Sequence, residues 1–324
     1  MTCFLTLALF AVAAQSAQPV PALPPAVFEA MAIQVALDRA GFSSGVIDGR
    51  IGANTKRAIE AYRQQNGSDP VAAPQPVVEY RITAEDVAGP FVDKIPSDLL
   101  EQSKLPALGY RNVVEALAER FHTTPEVLRS LNPSATFAAD MTIHVPAVEP
   151  LVIPAAVPTA KNETPRARAT GTSGRAAGSA ASQPDVKPDV IVRVSRSAKS
   201  LTVTDAGGKI LLFAPVTTGS DNDPLPIGEW KVNGVQHNPS FKYNPDLFWD
   251  ADPGHTKATV PPGPNGPVGV VWIDISKAHY GLHGSPEPSQ IGRTESHGCV
   301  RLTNWDALRV AALVKPGTRV VFAE

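Results

Sequence analysis

Short apolar runs of strand length fill the C-terminal part of the chain. The runs Val190–Val192, Leu201–Thr204 and Ile210–Val216 are rich in β-branched and apolar residues, and Gly207-Gly208 between the last two predicts a turn. The run from Val268 to Ile275 is longer and mostly apolar, which predicts a strand buried on both faces.

One helix is predicted within this strand-rich region. Thr303-Asn304-Trp305-Asp306 has the spacing of a capping box, and Pro316-Gly317 ends the helix before a last strand at Arg319–Phe322. The apolar face of this helix consists of Ala307, Val310, Ala311 and Val314. Residues 189–324 are therefore predicted to form a mostly β domain with one helix packed beside it.

Residues 26–67 carry the 3.6-residue period of helices. A first helix ends at Gly41, a glycine-rich turn region follows at 43–49, and Asn54 is predicted to cap a second helix that ends at Gly67. The apolar stripes of the two helices consist of Ile33, Ala36, Leu37 and Ala40, and of Thr55, Ile59 and Tyr62. This segment is predicted to be a small helical domain.

Residues 106–146 form a second organised segment. Val114, Leu117, Ala118 and Phe121 make a helical stripe, and Thr124-Pro125 opens a second helix. A half-buried strand with alternating apolar residues then ends at Pro146. Residues 68–105, by contrast, are Pro-rich and show no sustained period.

Residues 147–188 are dominated by Ala, Pro, Thr, Ser and Gly. A segment of this composition cannot bury a core, which predicts a flexible linker. We therefore expect a fragment that begins near residue 185 to fold on its own.

The N-terminal residues resemble a secretory signal. An apolar run at 3–14 is too short to span a bilayer and is followed by small and polar residues, which predicts a signal peptide at 1–17 and export to the periplasm or cell wall. Met1-Thr2 lacks the usual Lys or Arg, which suggests a true start upstream of Met1. A buried N-terminal helix is the alternative interpretation of the apolar run. No later run is long enough for a membrane span, so no integral membrane segment is expected after cleavage.

Length and charge bound the function further. A chain of 324 residues suggests two or three domains, and the 32 prolines point to linkers between them. The formal net charge of −2 shows none of the basic excess that marks nucleic-acid binding, so no nucleic-acid partner is expected.

The chain has two cysteines, and Cys3 lies in the segment predicted to be removed. A lone cysteine in an exported chain cannot form an internal disulfide, so Cys299 is either incidental or a reactive thiol. A reactive thiol needs a base that lowers its pKa and donors for the oxyanion. His297 and His283 are the candidate bases, and we prefer His283 because the intervening loop can return its ring to the sulfur. Gly298 lets backbone N–H groups approach a substrate oxygen.

These residues resemble the active-site signature of the L,D-transpeptidase catalytic family, which cross-links bacterial peptidoglycan through a cysteine. The matching positions are His283-Gly284, Pro288, Ile291-Gly292 and Ser296–Leu302, and upstream Pro224, Pro226, Gly228, Tyr243–Pro245, Pro262–Asn265, Pro267 and Gly269. The resemblance covers roughly residues 188–324. It implies a β-sandwich-like catalytic domain without a metal or other cofactor.

The resemblance also implies roles. Cys299 would attack the carbonyl before the terminal D-alanine of a tetrapeptide stem and form a thioester. His283, oriented by the Gly284 carbonyl, would take the thiol proton and return it to the leaving amine. Ser296, His297 and Gly298 would shape the oxyanion hole.

Three further residues are expected to bind substrate. Arg301 would bind a substrate carboxylate, although a salt bridge inside the fold is an equal alternative. The loop from Tyr243 to Pro267 is the natural lid over the site, with Phe248 and Trp249 excluding water. Tyr243 and Trp249 are therefore predicted to contact the substrate.

Two further resemblances concern the N-terminal half. Gly41-Phe42, Gly45, Ile47-Asp48-Gly49, Gly52, Thr55 and Ala58 resemble the three-helix peptidoglycan-binding domain. Leu117–Phe121, Leu131–Pro133 and Val145-Pro146 resemble the LysM module, but a Gly-Asp-Thr entry is missing. The predicted architecture is thus multidomain: an α-helical peptidoglycan-binding domain at 26–67, an α+β LysM-like module at 106–146, and the catalytic domain. Peptidoglycan is the expected partner.

Other functions are compatible with the same residues. His283, His297 and Cys299, with His255 and His279, could make a zinc hydrolase, although the chain has no His-Glu-x-x-His helix. The thioester could be hydrolysed, which would make the protein an L,D-carboxypeptidase. Cys299 could also be an inert core thiol of a non-catalytic wall-binding protein. The sequence leaves open the acyl acceptor and the oligomeric state.

Overall fold

The computed structural model describes residues 23–154 and 187–324. The predicted signal peptide and most of the predicted linker lie outside these residues. The helices are α1 (Pro25–Arg39), α2 (Ala53–Asn66), α3 (Ala84–Ala88), α4 (Leu99–Gln102), α5 (Val113–Arg120), α6 (Pro125–Leu131) and α7 (Asn304–Leu313). The strands are β1 (Val77–Arg81), β2 (Thr142–Pro146), β3 (Val190–Ser195), β4 (Ser200–Asp205), β5 (Ile210–Pro215), β6 (Gly228–His237), β7 (Phe241–Tyr243), β8 (Ala258–Val260), β9 (Val271–Ile275), β10 (Gly281–His283), β11 (Val300–Arg301) and β12 (Arg319–Ala323).

Eight strands form the main sheet, in the order β11-β10-β9-β6-β12-β3-β4-β5. β12 runs parallel to β3 and β10 runs parallel to β11, whereas the other neighbours are antiparallel. The predicted runs appear as β3, β4, β5 and β12, and the prediction of a mostly β C-terminal part is confirmed. Among the described helices, none has the length and apolar character needed to cross a membrane.

The main sheet curls around one core that α7 closes. Side chains of β3, β4, β9 and β10 share this core with α7. The predicted apolar face of the helix is confirmed, since its four residues are at most 1% exposed. The Thr303 hydroxyl accepts a hydrogen bond from the Asp306 N–H at 3.2 Å, so the predicted cap is also present.

The predicted strand from Val268 to Ile275 is shorter than its apolar run. β9 begins at Val271, because the preceding residues form a turn in which Gly269 has a φ of 59°. Alternate residues of β9 are buried in the core, whereas Trp272 and Asp274 are half-buried on the other face. The expectation of burial on both faces was therefore wrong, and the second face of β9 is available to the candidate site.

The first helical module is built on α1 and α2. The Gln34 side-chain oxygen accepts hydrogen bonds from the backbone of Asp48 at 3.1 Å and Gly49 at 2.9 Å, which holds the turn between the helices. Gly67 ends α2 in the left-handed conformation, as predicted. The prediction that Asn54 caps α2 was wrong, because Gly52 occupies the cap and the Asn54 amide donates to the Ile291 carbonyl at 2.9 Å.

The second module contains a strand in the stretch that showed no sequence period. β1 pairs antiparallel with β2, and Ile82, directly after β1, joins the core that α5 and α6 form. β1 was missed because only Val77 and Tyr80 of its five residues are half-buried, so no alternation of apolar and polar residues marks the strand. The module therefore begins before residue 106, at about residue 77.

The first helical module packs against β5 of the main sheet. Phe42 stacks on Phe213 of β5 with ring centroids 6.5 Å apart, and the backbone N–H of Phe213 donates to the Gly41 carbonyl at 2.8 Å. Phe42 and Phe213 are 2% and 4% exposed, so separating the modules would uncover both rings. The expectation of an independent C-terminal fragment is not supported by this packing.

A buried ionic cluster also joins the three parts. Asp38 of α1 lies between His122, at 3.2 Å, and Arg309 of α7, at 2.8 Å. Burial alone would raise the pKa of Asp38, but His122 and Arg309 hold it well below its usual range. The His122 ring stacks on Trp305, with centroids 4.9 Å apart. Charge and stacking therefore fix α1 and α5 against α7.

Candidate active site

Strand register places His283 and Arg301 side by side on the face of the main sheet that points away from the core. In the parallel pair β10–β11, Leu282 lies opposite Val300 and His283 lies opposite Arg301. Because neighbouring residues of a strand face opposite sides, Leu282 and Val300 enter the core while His283 and Arg301 face the other way. Cys299 directly precedes Val300 at the start of β11.

The ring of His283 is held in one orientation. Its Nδ1 lies 2.7 Å from the Gly284 carbonyl oxygen, which can only accept, so Nδ1 carries the proton and Nε2 is the basic nitrogen. Trp272 stacks on the ring, with centroids 5.4 Å apart. Burial and then the charge of Arg301 lower the pKa of His283 to about 3, against a smaller opposing effect of the Gly284 carbonyl. The imidazole is therefore neutral at pH 7.

The thiol of Cys299 is also neutral at pH 7. Burial raises its pKa above the usual range, although Gly281 and Arg301 favour the thiolate. The sulfur contacts the His279 carbonyl oxygen at 3.8 Å. The low thiol pKa expected from the sequence is therefore not present in this state.

Two residues that the sequence analysis missed, Tyr280 and Trp272, pack beside the segments that carry Cys299 and His283. Tyr280 packs against Gly298, where a Cβ atom would lie 2.5 Å from the phenol ring, and Gly298 has a φ of 95°. Burial raises the pKa of Tyr280, so the phenol is neutral at pH 7. Trp272 covers Gly281, where a Cβ would lie 2.5 Å from the indole. An aromatic residue just before β10 was the available signal for Tyr280.

Ser296 supports the turn that carries the thiol. Its hydroxyl donates to the Cys299 carbonyl at 2.6 Å, and its backbone N–H donates to the Thr218 carbonyl at 2.9 Å. Ser296 is 4% exposed. The serine therefore holds the backbone of Cys299, and its hydroxyl is not available as an oxyanion donor in this structure.

His297 faces the predicted lid. Its Nε2 lies 2.9 Å from an Asp250 carboxylate oxygen, and the rings of Phe248 and Trp249 lie 5.0 and 6.3 Å from its own. Trp249 is 64% exposed, so one side of its indole is free. The loop that was predicted to cover the site does contact the residue two positions before Cys299.

Tyr243 lies at the base of this lid. It is 4% exposed, and its hydroxyl lies 2.9 Å from His255 Nδ1, whose other ring nitrogen lies 2.9 Å from Asp98. Tyr243 also packs with Leu108 and Val260. The substrate contact predicted for Tyr243 is therefore not available in this structure, and the residue instead anchors the lid to the segment before α5.

Arg301 is half-buried beside the thiol. Burial lowers its pKa, while the charges of Cys299 and Glu287 raise it. Its backbone exchanges two hydrogen bonds with Thr217, at 2.9 and 3.0 Å. The guanidinium therefore places a positive charge on the face that carries His283.

The candidate metal ligands do not converge. Across residues 23–154 and 187–324, no three His, Cys, Asp or Glu side chains are grouped closely enough to hold a metal ion. His297 is directed to Asp250 and His255 to Asp98, away from a common centre with Cys299. The geometry of these side chains therefore does not build the zinc site considered from the sequence.

Two family models match the chain. Residues 189–322 match the "L,D-transpeptidase catalytic domain", and residues 29–70 match the "Putative peptidoglycan binding domain". Both matches agree with the resemblances found in the sequence.

Curated proteins and a solved structure give related matches. "Putative L,D-transpeptidase YkuD" of Bacillus subtilis is 31% identical over 129 residues, 40% of this chain and 63% of the relative. "Probable L,D-transpeptidase YbiS" of Escherichia coli K12 is 30% identical over 146 residues, 44% of this chain and 46% of the relative. The chain thus spans less than two thirds of the length of these relatives. L,D-transpeptidase 3 of Mycobacterium tuberculosis, crystallised with a faropenem-derived adduct, is 20% identical, with a TM-score of 0.35 over 42% of this chain and 61% of that chain. Residues 189–322 thus carry the sequence pattern of an L,D-transpeptidase catalytic domain, and residues 29–70 of the same chain carry that of a peptidoglycan-binding domain.

Proposed function

We propose that the protein is an L,D-transpeptidase of peptidoglycan, a cysteine acyltransferase that replaces the terminal D-alanine of a tetrapeptide stem by an amine acceptor. The observation that supports the proposal is the β10–β11 register, in which His283 lies opposite Arg301 and Cys299 directly precedes β11. The Gly284 carbonyl also supports the proposal. This carbonyl accepts a hydrogen bond from Nδ1 of His283 and so leaves Nε2 free to accept a proton.

In the first half-reaction, Cys299 Sγ attacks the carbonyl carbon between the third residue and the D-alanine, and its proton moves to Nε2 of His283. When the tetrahedral intermediate collapses, the C–N bond breaks and His283 gives this proton to the leaving amine. In the second half-reaction, the acceptor amine attacks the thioester and loses a proton to His283. The C–S bond then breaks, and the proton returns to Cys299 as a thiol.

The resting pair is neutral, so proton transfer accompanies attack. The pKa of His283 lies near 3 and that of Cys299 lies above its usual range, both mainly because of burial. The positive charge of Arg301 favours the thiolate and opposes the imidazolium. We propose that a substrate carboxylate offsets this charge on binding, which would assist the base only when substrate is present.

Backbone N–H groups around Cys299 are the proposed oxyanion donors. The positive φ of Gly298 turns the chain just before the thiol, and the Ser296 hydroxyl fixes the Cys299 carbonyl on the inner side. Fixed donors of this kind stabilise the developing charge without reorganisation. Ser296 then acts by holding the turn, and Gly298 by shaping it.

The lid favours transfer over hydrolysis. Phe248, Trp249 and Asp250 contact His297, and the exposed face of Trp249 is available to the substrate. An amine competes with bulk water only if it is bound in an oriented pose, where effective molarities reach about 10⁵ M or more. A closed lid supplies both the exclusion of water and a surface for the acceptor.

Peptidoglycan is the proposed partner, and export to the periplasm or cell wall is the proposed location. A cavity of about 270 Å³ lies where the peptidoglycan-binding domain meets α6 and the loop before Cys299. Its lining includes Gln34, Arg50, Glu126 and Arg293. These polar and charged side chains support wall binding at this junction. Glycan binding by the LysM-like segment and the signal peptide stay predictions.

Incubation with a purified disaccharide tetrapeptide tests the proposal. We expect released D-alanine and more cross-linked dimer than tripeptide, with neither product from Cys299→Ala. Tripeptide alone in the presence of excess acceptor would make the protein an L,D-carboxypeptidase. A folded protein that binds sacculi but yields no product would be a wall-binding protein without catalysis.

A further inference from the structure

A buried carboxyl group of the second N-terminal module touches the catalytic domain. Glu119 of α5 is 7% exposed, and its Oε1 accepts a hydrogen bond from Asn304 Nδ2 at 2.6 Å. The Tyr110 phenol also faces this carboxyl group. The groups that shift its pKa include no Lys or Arg, so hydrogen bonds offset only part of the cost of burying the carboxylate.

Asn304 in turn braces the backbone next to the catalytic histidine. Its Oδ1 accepts from the Val270 N–H at 3.1 Å, and its Nδ2 also donates to the Pro264 carbonyl at 3.2 Å. Its Oδ1 packs so closely on Gly269 and Gly284 that a Cβ atom on either glycine would lie 2.0 Å away. An ionised carboxylate can only accept hydrogen bonds. Ionised Glu119 therefore requires Asn304 to turn its Nδ2 toward the carboxylate, which leaves the Asn304 Oδ1 on the side of Gly284.

The Gly284 carbonyl completes the connection. It accepts from His283 Nδ1 at 2.7 Å, and the Gly284 N–H donates to the Val271 carbonyl at 3.3 Å. The position of this carbonyl sets both the tautomer and the direction of the imidazole ring. A displaced Asn304 side chain would therefore displace the partner of the base.

We propose that Glu119 is a positioning residue for His283, acting through Asn304 and the Gly284 backbone, so that the docked N-terminal module completes the active site. This inference rests on the proposed function in one respect, the role of His283 as the base. Glu119 touches neither substrate nor reacting atoms. It lies outside the segment that matches the catalytic-domain model.

The protonation state of Glu119 gives the arrangement a pH dependence. Burial and the charge of Glu115 on the same helix raise the pKa of Glu119, Asn304 and Tyr110 lower it by hydrogen bonding, and the result is about 7. Arg120 lies on the same helix and acts on Tyr110. The ionised form, which fixes the Asn304 amide, is therefore lost as the pH falls below about 7.

The test compares full-length wild type with Glu119→Gln and Glu119→Leu. Glu79→Gln is the matched control, because Glu79 is an exposed carboxyl of the same module. We expect kcat on the tetrapeptide to fall about threefold in Glu119→Gln and tenfold or more in Glu119→Leu, with KM within twofold. The rise of wild-type kcat with an apparent pKa near 7 should be absent from Glu119→Gln. Unchanged kcat and pH profile in both variants would overturn the inference.

A second readout does not require turnover. ¹⁵N NMR of the histidine rings should show His283 as the Nδ1-protonated tautomer in wild type and a second population in Glu119→Leu. If Glu119→Leu does not fold, the same spectrum of Glu119→Gln decides, since an unchanged His283 signal there overturns the inference. Failure of the proposed function is distinct, because wild type would then form no acyl adduct on Cys299.

Discussion

Replacing Glu119 by glutamine should stabilise the protein at alkaline pH while it lowers activity. The carboxyl pKa rises from 4.5 to about 7 on folding, mainly because of burial. A raised carboxyl pKa means that the folded state binds the proton more tightly than the unfolded state does. The stability that protonated Glu119 contributes is therefore complete below pH 4.5 and is lost as the pH rises through 7. Above pH 7 the ionised group is present in the native state at a cost, which a neutral glutamine avoids.

The size of the effect follows from the shift. A difference of 2.5 pKa units corresponds to about 3 kcal/mol, and between pH 5 and pH 8 the linkage relation gives about 2.5 kcal/mol. The fully buried position of the carboxyl group means that solvent screening removes little of this amount. Glu119→Gln should therefore gain about this much stability relative to wild type when the pH is raised from 5 to 8.

Urea denaturation at pH 5 and pH 8 measures this difference, with Glu79→Gln as the control that should show none. The second half of the test is kcat of Glu119→Gln at pH 8. If Glu119 served only for packing, its replacement would not lower activity while raising stability. A Glu119→Gln protein with the same relative stability at both pH values would refute the assigned pKa and its physical cause.

Three further changes test other parts of the structure. Phe42→Ala should destabilise the full chain by about 3 to 5 kcal/mol, seen by denaturation, because it empties the stack on Phe213; a loss below about 1 kcal/mol would mean that the modules barely interact. Asp250→Asn should shift products toward tripeptide by mass spectrometry, because the lid loses the carboxylate that contacts His297 Nε2 at 2.9 Å; an unchanged ratio would remove the lid from the account. Gly298→Ala should reduce turnover at least tenfold in a folded protein, since φ is 95° and Tyr280 blocks the methyl group; near wild-type activity would show that the turn can relax.

The sequence predicted the parts of the site that lie close together along the chain. Cys299, Gly298 and His283 belong to one stretch, and the lid residues Phe248 and Trp249 were found because an apolar pair stands out in a Pro-rich and Gly-rich loop. The strands and α7 followed from local apolar periods.

The sequence could not predict contacts between distant segments. Glu119 and Asn304 are 185 residues apart, and a helix pattern shows only that Glu119 is a polar position. Tyr243 was assigned to substrate because of its place in the lid, whereas its burial depends on Leu108 from another module. Asn54 has the residue type of a helix cap, but a tertiary contact with Ile291 uses its amide.

The central claim is that Cys299 attacks the stem peptide with His283 as its base. Mass spectrometry of the Cys299 peptide after rapid quenching with disaccharide tetrapeptide tests it most directly. We expect the mass of the stem without its D-alanine on Cys299 in wild type, and no such adduct in His283→Ala at the same time point. D-alanine release without modification of Cys299, or an adduct that forms as fast in His283→Ala, would contradict the account.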